Sequence, residues 1–115
     1  ALPKLKISGP FKGATYVDKT VDPAATKVGT SNELKISAST ESLYQDVWGE
    51  LALTEIGSVV GIKASGWTDT VIWNPFKEAM GSSKFMCVEC AKLSPVSVPP
   101  GAEWQAAMLI TPGKL

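Results

Sequence analysis

The chain has 115 residues, 44% of them apolar and 19% charged; that length fits one domain or part of a larger one, and the balance argues against a disordered segment. Eleven cations offset eleven carboxylates, so the formal net charge is zero, which removes the electrostatic basis for gripping nucleic acid or an anionic membrane. All the cations are lysines and histidine is absent, so these residues have neither the usual acid–base group at neutral pH nor the guanidinium fork that holds phosphate bidentately. Any catalysis by this chain alone has to run on carboxylates, lysines, tyrosines or thiols.

Taken in chain order, the opening ALPKLKISGP carries no signal-peptide core, and no apolar run approaches the ~18 residues of a membrane span. Strand signals then dominate. Short segments rich in β-branched and aromatic residues, many alternating apolar with polar, predict strands over residues 14–19, 33–39, 42–48, 50–55, 58–64, 69–74, 84–93 and 103–111. Turn signals such as SGPFKG, VDPAA, VGTSN, SGW and VPPGA separate them. The one helical turn expected lies in PFKEAMGSS (75–83), with Pro75 at its start and Gly81 past its end. Strands recurring about every 8–12 residues predict an all-β fold, an antiparallel sandwich or barrel. With no linker, repeat or low-complexity tract, residues 1–115 read as a single unit.

The stretch FMCVECA (85–91) poses the main chemical question, because it places two cysteines three apart around a glutamate. On a strand, Cys87 and Cys90 point to opposite faces. A redox pair needs a helix N-terminus to bring the sulfurs together, and a zinc site needs two further ligands that the sequence does not supply. The cysteines therefore read as small apolar residues packing on a strand, and no metal site is expected. Glu89 is open to two readings: a solvated sheet surface or turn cap, or a carboxylate held at a functional site. In DTVIWNPF (69–76), Trp73 and Asn74 end a strand before Pro75. A ring beside an amide suits a sugar, whose apolar face stacks while its hydroxyls bond, but the residues by themselves favour core packing of a Trp with an Asn at a turn. Taken singly, Asp18 and Glu41 read as surface carboxylates.

Together, FKGATYVDK, LKISASTESLYQDV, ASGWTDTVIWNP, KFMCVECA and VSVPPGAEWQAAMLI resemble, in order and approximate spacing, the C-terminal part of the hexose-6-phosphate mutarotases. These are the glucose-6-phosphate 1-epimerase-like members of the aldose 1-epimerase family. The resemblance runs from about residue 7 to residue 111. It implies the C-terminal part of a β-sandwich of the galactose-mutarotase type and interconversion of sugar anomers without metal or organic cofactor. A glutamate takes the anomeric proton, a histidine protonates the ring oxygen, and the opened aldehyde rotates before the ring closes. By the CVE match the base is Glu89; Glu41 becomes a ligand to sugar hydroxyls, and Trp73 and Asn74 become the wall of the cleft.

The chain departs from the family pattern at three points. TESLY carries Glu41 and Ser42 where the family has an Asp followed by an Arg, no histidine is present, and family members are considerably longer. The resemblance thus implies either half of an active site, completed by a segment bearing the acid, or a degenerate module serving as an assembly subunit. Both imply other protein chains as partners, with a hexose or hexose phosphate as ligand in the first case.

Overall fold

The computed structural model describes residues 4–77, 81 and 85–114. Among these residues ten strands form: β1 (Lys6–Ser8), β2 (Thr15–Asp18), β3 (Ala25–Val28), β4 (Glu33–Lys35), β5 (Thr40–Tyr44), β6 (Glu50–Glu55), β7 (Ser58–Ser65), β8 (Asp69–Asn74), β9 (Cys87–Ala91) and β10 (Ala107–Lys114). They make two five-stranded antiparallel sheets, ordered β10-β7-β6-β1-β4 and β3-β2-β5-β8-β9. The all-β sandwich expected from strand spacing is the architecture found. Among the described residues, no helix is long and apolar enough to cross a membrane.

Register explains which residues fill the space between the sheets. In the first sheet, Leu34, Ile7, Leu53 and Val60 lie side by side across four strands, and Leu51 sits opposite Ile62. In the second, Tyr16, Tyr44, Thr70 and Cys90 form one row, and Asp18, Ser42, Ile72 and Val88 form the next. Because strand side chains alternate, these rows share the inner faces. Ile7, Phe11, Ile36, Tyr44, Val47, Leu51, Ile62 and Ile72 form one buried cluster drawn from both sheets. Phe11 lies after β1, in a segment read from sequence as a turn, and its ring stacks at a tilt 4.9 Å from Tyr44.

Several boundaries differ from expectation. β1 and β3 were not among the expected strands, since three residues show no alternation and β3, exposed along most of its length, needs none. Expected strand 42–48 becomes β5 two residues earlier, because the chain turns at Asp46, whose φ is 56°. β10 runs on through Pro112 and Gly113, residues that normally stop a strand but are tolerated at a sheet edge. The helical turn expected over 75–83 falls largely outside the described residues; Pro75, Phe76 and Lys77 are not helical.

Two carboxylates fasten the second sheet. Asp18, at the end of β2, accepts Lys27 Nζ at 2.7 Å, Thr20 Oγ1 at 2.6 Å and the Thr20 backbone N–H at 2.9 Å. The Lys27 hydrogen bond first, then those from Thr20, hold its carboxyl down at about 2. Its contribution to stability is complete above its unfolded value near 3.8 and is lost as pH falls through 3.8 towards 2. We therefore expect Asp18→Asn to cost about 1 kcal/mol at neutral pH, a modest figure because Lys27 is half exposed. In urea titrations the gap between variant and parent should close as pH drops from 4 to 2. A gap independent of pH would contradict this assignment. The second carboxylate, Asp69, starts β8 and is taken up in the Discussion.

Candidate functional site

The outer face of the second sheet carries the residues that sequence singles out. There, Val17, Leu43, Val71 and Glu89 lie in one row across β2, β5, β8 and β9. Glu41, Trp73 and Cys87 form the adjacent row across β5, β8 and β9. Trp73 is therefore directly opposite Glu41 on one side and diagonal to Glu89 on the other. Two strand spacings and a two-residue offset put the Glu41 and Glu89 backbones roughly 12 Å apart.

Each member of this group has defined surroundings. Trp73 is half-buried and its ring tilts against Phe85, with centroids 5.8 Å apart. Glu41 is ion-paired at 3.9 Å with Lys19 Nζ, both side chains being largely solvated, and its carbonyl accepts the Lys19 backbone N–H at 2.9 Å. Lys19 thus adds a cation to the same face. Glu89 is exposed, on an open sheet surface rather than in an enclosed cleft. Half-buried Val17, Leu43 and Val71 supply an apolar strip between the charged ends. An aromatic platform with a carboxylate on each side and an apolar floor suits a polyhydroxylated ring, whose C–H face stacks while its rim bonds.

Asn74 does not join this group. It is adjacent to Trp73 in sequence, so the pleat turns it to the inner face, where it is 0% exposed. Its Nδ2 donates to the Phe85 carbonyl at 2.9 Å and its Oδ1 accepts the Phe76 N–H at 2.7 Å. It fastens the chain beyond β8 to the approach of β9, and the expectation that it binds a ligand beside Trp73 is corrected on that ground.

The two cysteines face opposite ways, as their spacing requires. Cys87 lies on the outer face beside Trp73, and Cys90 on the inner face opposite Thr70. Both are free thiols. Burial pushes both up from the ordinary thiol range, with the Glu89 charge adding to the effect at Cys87. Neither has the lowered value of a redox nucleophile. Among the described residues, no cluster of three metal-ligating side chains forms.

Two nearby residues escaped the sequence reading. Lys19 follows β2 and signals nothing by itself. Trp48 falls at the end of the strand expected over 42–48, where an aromatic reads as core, yet it is 59% exposed and borders a small crevice at the opening between the sheets, with Leu51, Ile62, Thr70 and Cys90. Comparisons of this chain with protein-family models, curated proteins and solved structures give no match.

Proposed function

We propose that this chain is a mutarotase-like sugar-binding unit that works on the outer face of its second sheet, with Glu89 as general base. The observation that carries this reading is the placement of Glu41, Trp73 and Glu89 on one solvent-facing surface in adjacent rows. A hexose or hexose phosphate stacks on Trp73 and bonds Glu41 through its hydroxyls. Glu89 removes the proton from the anomeric oxygen; the electron pair forms the aldehyde carbonyl as the C1–ring-oxygen bond breaks, and the ring oxygen takes a proton from an acid. Rotation about C1–C2 and reversal of these steps give the other anomer. With no histidine among the 115 residues, the acid comes from a polypeptide segment outside them, which makes another chain or segment part of the working unit.

Glu89→Gln should lower anomer exchange by a factor of 10² or more, since general-base catalysis typically contributes about 10²–10⁴. The measurement is NMR exchange spectroscopy of glucose and glucose 6-phosphate with the protein in its native assembly. Exchange that survives the substitution at the parent rate would overturn the base assignment.

A second reading is a module of this lineage that has lost turnover and serves assembly. It is favoured by β10, exposed on both faces along all eight residues, with Met108, Leu109 and Ile110 open to solvent. An uncovered apolar strand edge invites another chain. Under this reading the native particle contains other subunits, shows no exchange, and is unaffected in mass by Glu89→Gln.

A further inference from the structure

β10 is one edge of the first sheet, and the direction of its hydrogen-bonding groups follows from its neighbours. Ala64 N–H donates to the Gly49 carbonyl at 2.8 Å, on the β6 side of β7, so its backbone groups point away from β10. Met108 is the residue of β10 opposite Ala64. In an antiparallel pair, residues alternate between exchanging hydrogen bonds with the residue opposite and turning outward. Met108, Ile110, Pro112 and Lys114 therefore turn their backbone polar groups away from β7, while Leu109 and Thr111 bond to it. Pro112 removes no bond from the sheet, and the edge presents the N–H and C=O groups of Met108 and Ile110 to solvent.

Among the described residues, the other three sheet edges carry charge within short strands: Glu33 and Lys35 on β4, Lys27 on β3 and Glu89 on β9. Such charges discourage pairing between edges. β10 is longer than any of them, and its single charge, Lys114, is its last residue. Met108 and Ile110 share the face of Ile62 and are 42% and 58% exposed, and Leu109 on the opposite face is 59% exposed.

This edge is complementary to itself. With a two-fold axis at Leu109, antiparallel pairing sets Met108 of each copy opposite Ile110 of the other, and each such pair exchanges two hydrogen bonds. An axis at Ile110 would instead set Met108 opposite Pro112, which lacks an N–H, and lose a bond from each pair. About the Leu109 axis, the two Leu109 side chains meet on one face and the Met108–Ile110 pairs line the other. The same pairing carries Lys114 of each copy towards Glu103 of the other, in the segment leading into β10, so opposite charges meet at both ends of the seam. With a formal net charge of zero, two copies do not repel one another at long range.

We infer that β10 is the seam of a symmetric dimer, in which two copies of this chain join their first sheets edge to edge. One strand per copy makes a small interface, below about 1,200 Å², so the dissociation constant falls on the order of 10–100 µM. The Trp73 surface lies on the second sheet and stays open in this dimer, so the seam stands independently of the function proposed for that surface.

Sedimentation velocity of the chain from about 5 to 500 µM, bracketing that range, should show the mean mass rising from monomer towards dimer. Hydrogen exchange over the same series should show the Met108 and Ile110 amides slowing with concentration, while those of Leu109 and Thr111, already bonded to β7, do not change. Ile110→Pro removes an N–H that β7 does not use and should weaken association about tenfold or more. Ile110→Lys, which puts a cation on each side of the seam, repeats the measurement should the proline variant not fold. A monomer at every concentration would overturn the inference. So would association undiminished in a folded Ile110 variant, or protection of Met108 and Ile110 gained only from an unlike chain.

Discussion

Phe11→Ala is expected to destabilise the protein by roughly 3–5 kcal/mol, the range for truncating a fully buried phenylalanine. Phe11 is 0% exposed and is the largest fully buried side chain among the described residues. Its ring meets Tyr44 across the sandwich, so its removal opens a void between sheets rather than at a rim. The surrounding backbone has little freedom to close that void. The Phe11 N–H donates to the Gly9 carbonyl at 2.8 Å, and its own carbonyl accepts Ala14 N–H at 3.0 Å. A β-carbon built on Gly29 would run into the Phe11 carbonyl, so the loop is already pressed against its neighbour. Domains of this size are stable by about 5–15 kcal/mol, so the variant should lose about a fifth of its stability at the least. Urea denaturation followed by tryptophan fluorescence checks this, with Phe11→Leu as a milder control. A loss under 1 kcal/mol would mean that the core does not close around this ring.

Asp69→Ala should cost a similar amount, roughly 3–5 kcal/mol, by a different route. One carboxylate oxygen of this buried residue accepts Asp46 N–H at 3.0 Å. The other accepts Leu93 N–H at 2.7 Å and Thr68 Oγ1 at 2.9 Å. Asp69 therefore ties the turn after β5 to the chain leaving β9. Alanine strands two backbone N–H groups, and hydrogen bonds to charged acceptors are worth about 1.5–3 kcal/mol each, though not additively. Asparagine should be nearly as damaging, because one of its two terminal atoms becomes a donor facing a donor. Burial pushes the Asp69 carboxyl up, but the Leu93 and Asp46 backbone hydrogen bonds, the Thr68 hydroxyl and the Lys92 charge outweigh it and hold it below the ordinary range. Its folded value being depressed, its stabilisation is present above the unfolded value of 3.8 and fades as pH falls below it. Guanidinium titrations at pH 7 and pH 3 should show a large variant–parent gap at the first and a smaller one at the second. A tolerated Asp69→Asn would sink this account.

Strands with clear alternation and turn residues at both ends were legible from sequence, and β6 and β8 appear at the expected residues. What was not legible depends on packing. Phe11 sits in a Gly-Pro-Phe-Lys-Gly stretch that reads as a surface turn, and only the opposing sheet makes it core. β3 has no apolar face to betray it, because a sheet edge requires none. At the candidate site, the outer-face grouping of Trp73 with Glu41 needed the pairing of β5 with β8, which no local pattern reveals. The inward turn of Asn74 was legible in principle: adjacent residues on a strand never share a face, so a ring and an amide side by side in sequence stand back to back in the sheet.

That same alternation on β9 gives the chain two built-in chemical reporters. Cys87 stands beside Trp73 on the outer surface and Cys90 looks inward towards the other sheet, and the chain contains no other cysteine. Alkylation rates at the first thiol follow whatever covers the Trp73 surface, while rates at the second follow separation of the two sheets. One labelling time course, resolved by mass spectrometry of the peptide between them, thus separates occupancy of the surface from breathing of the sandwich without any introduced probe.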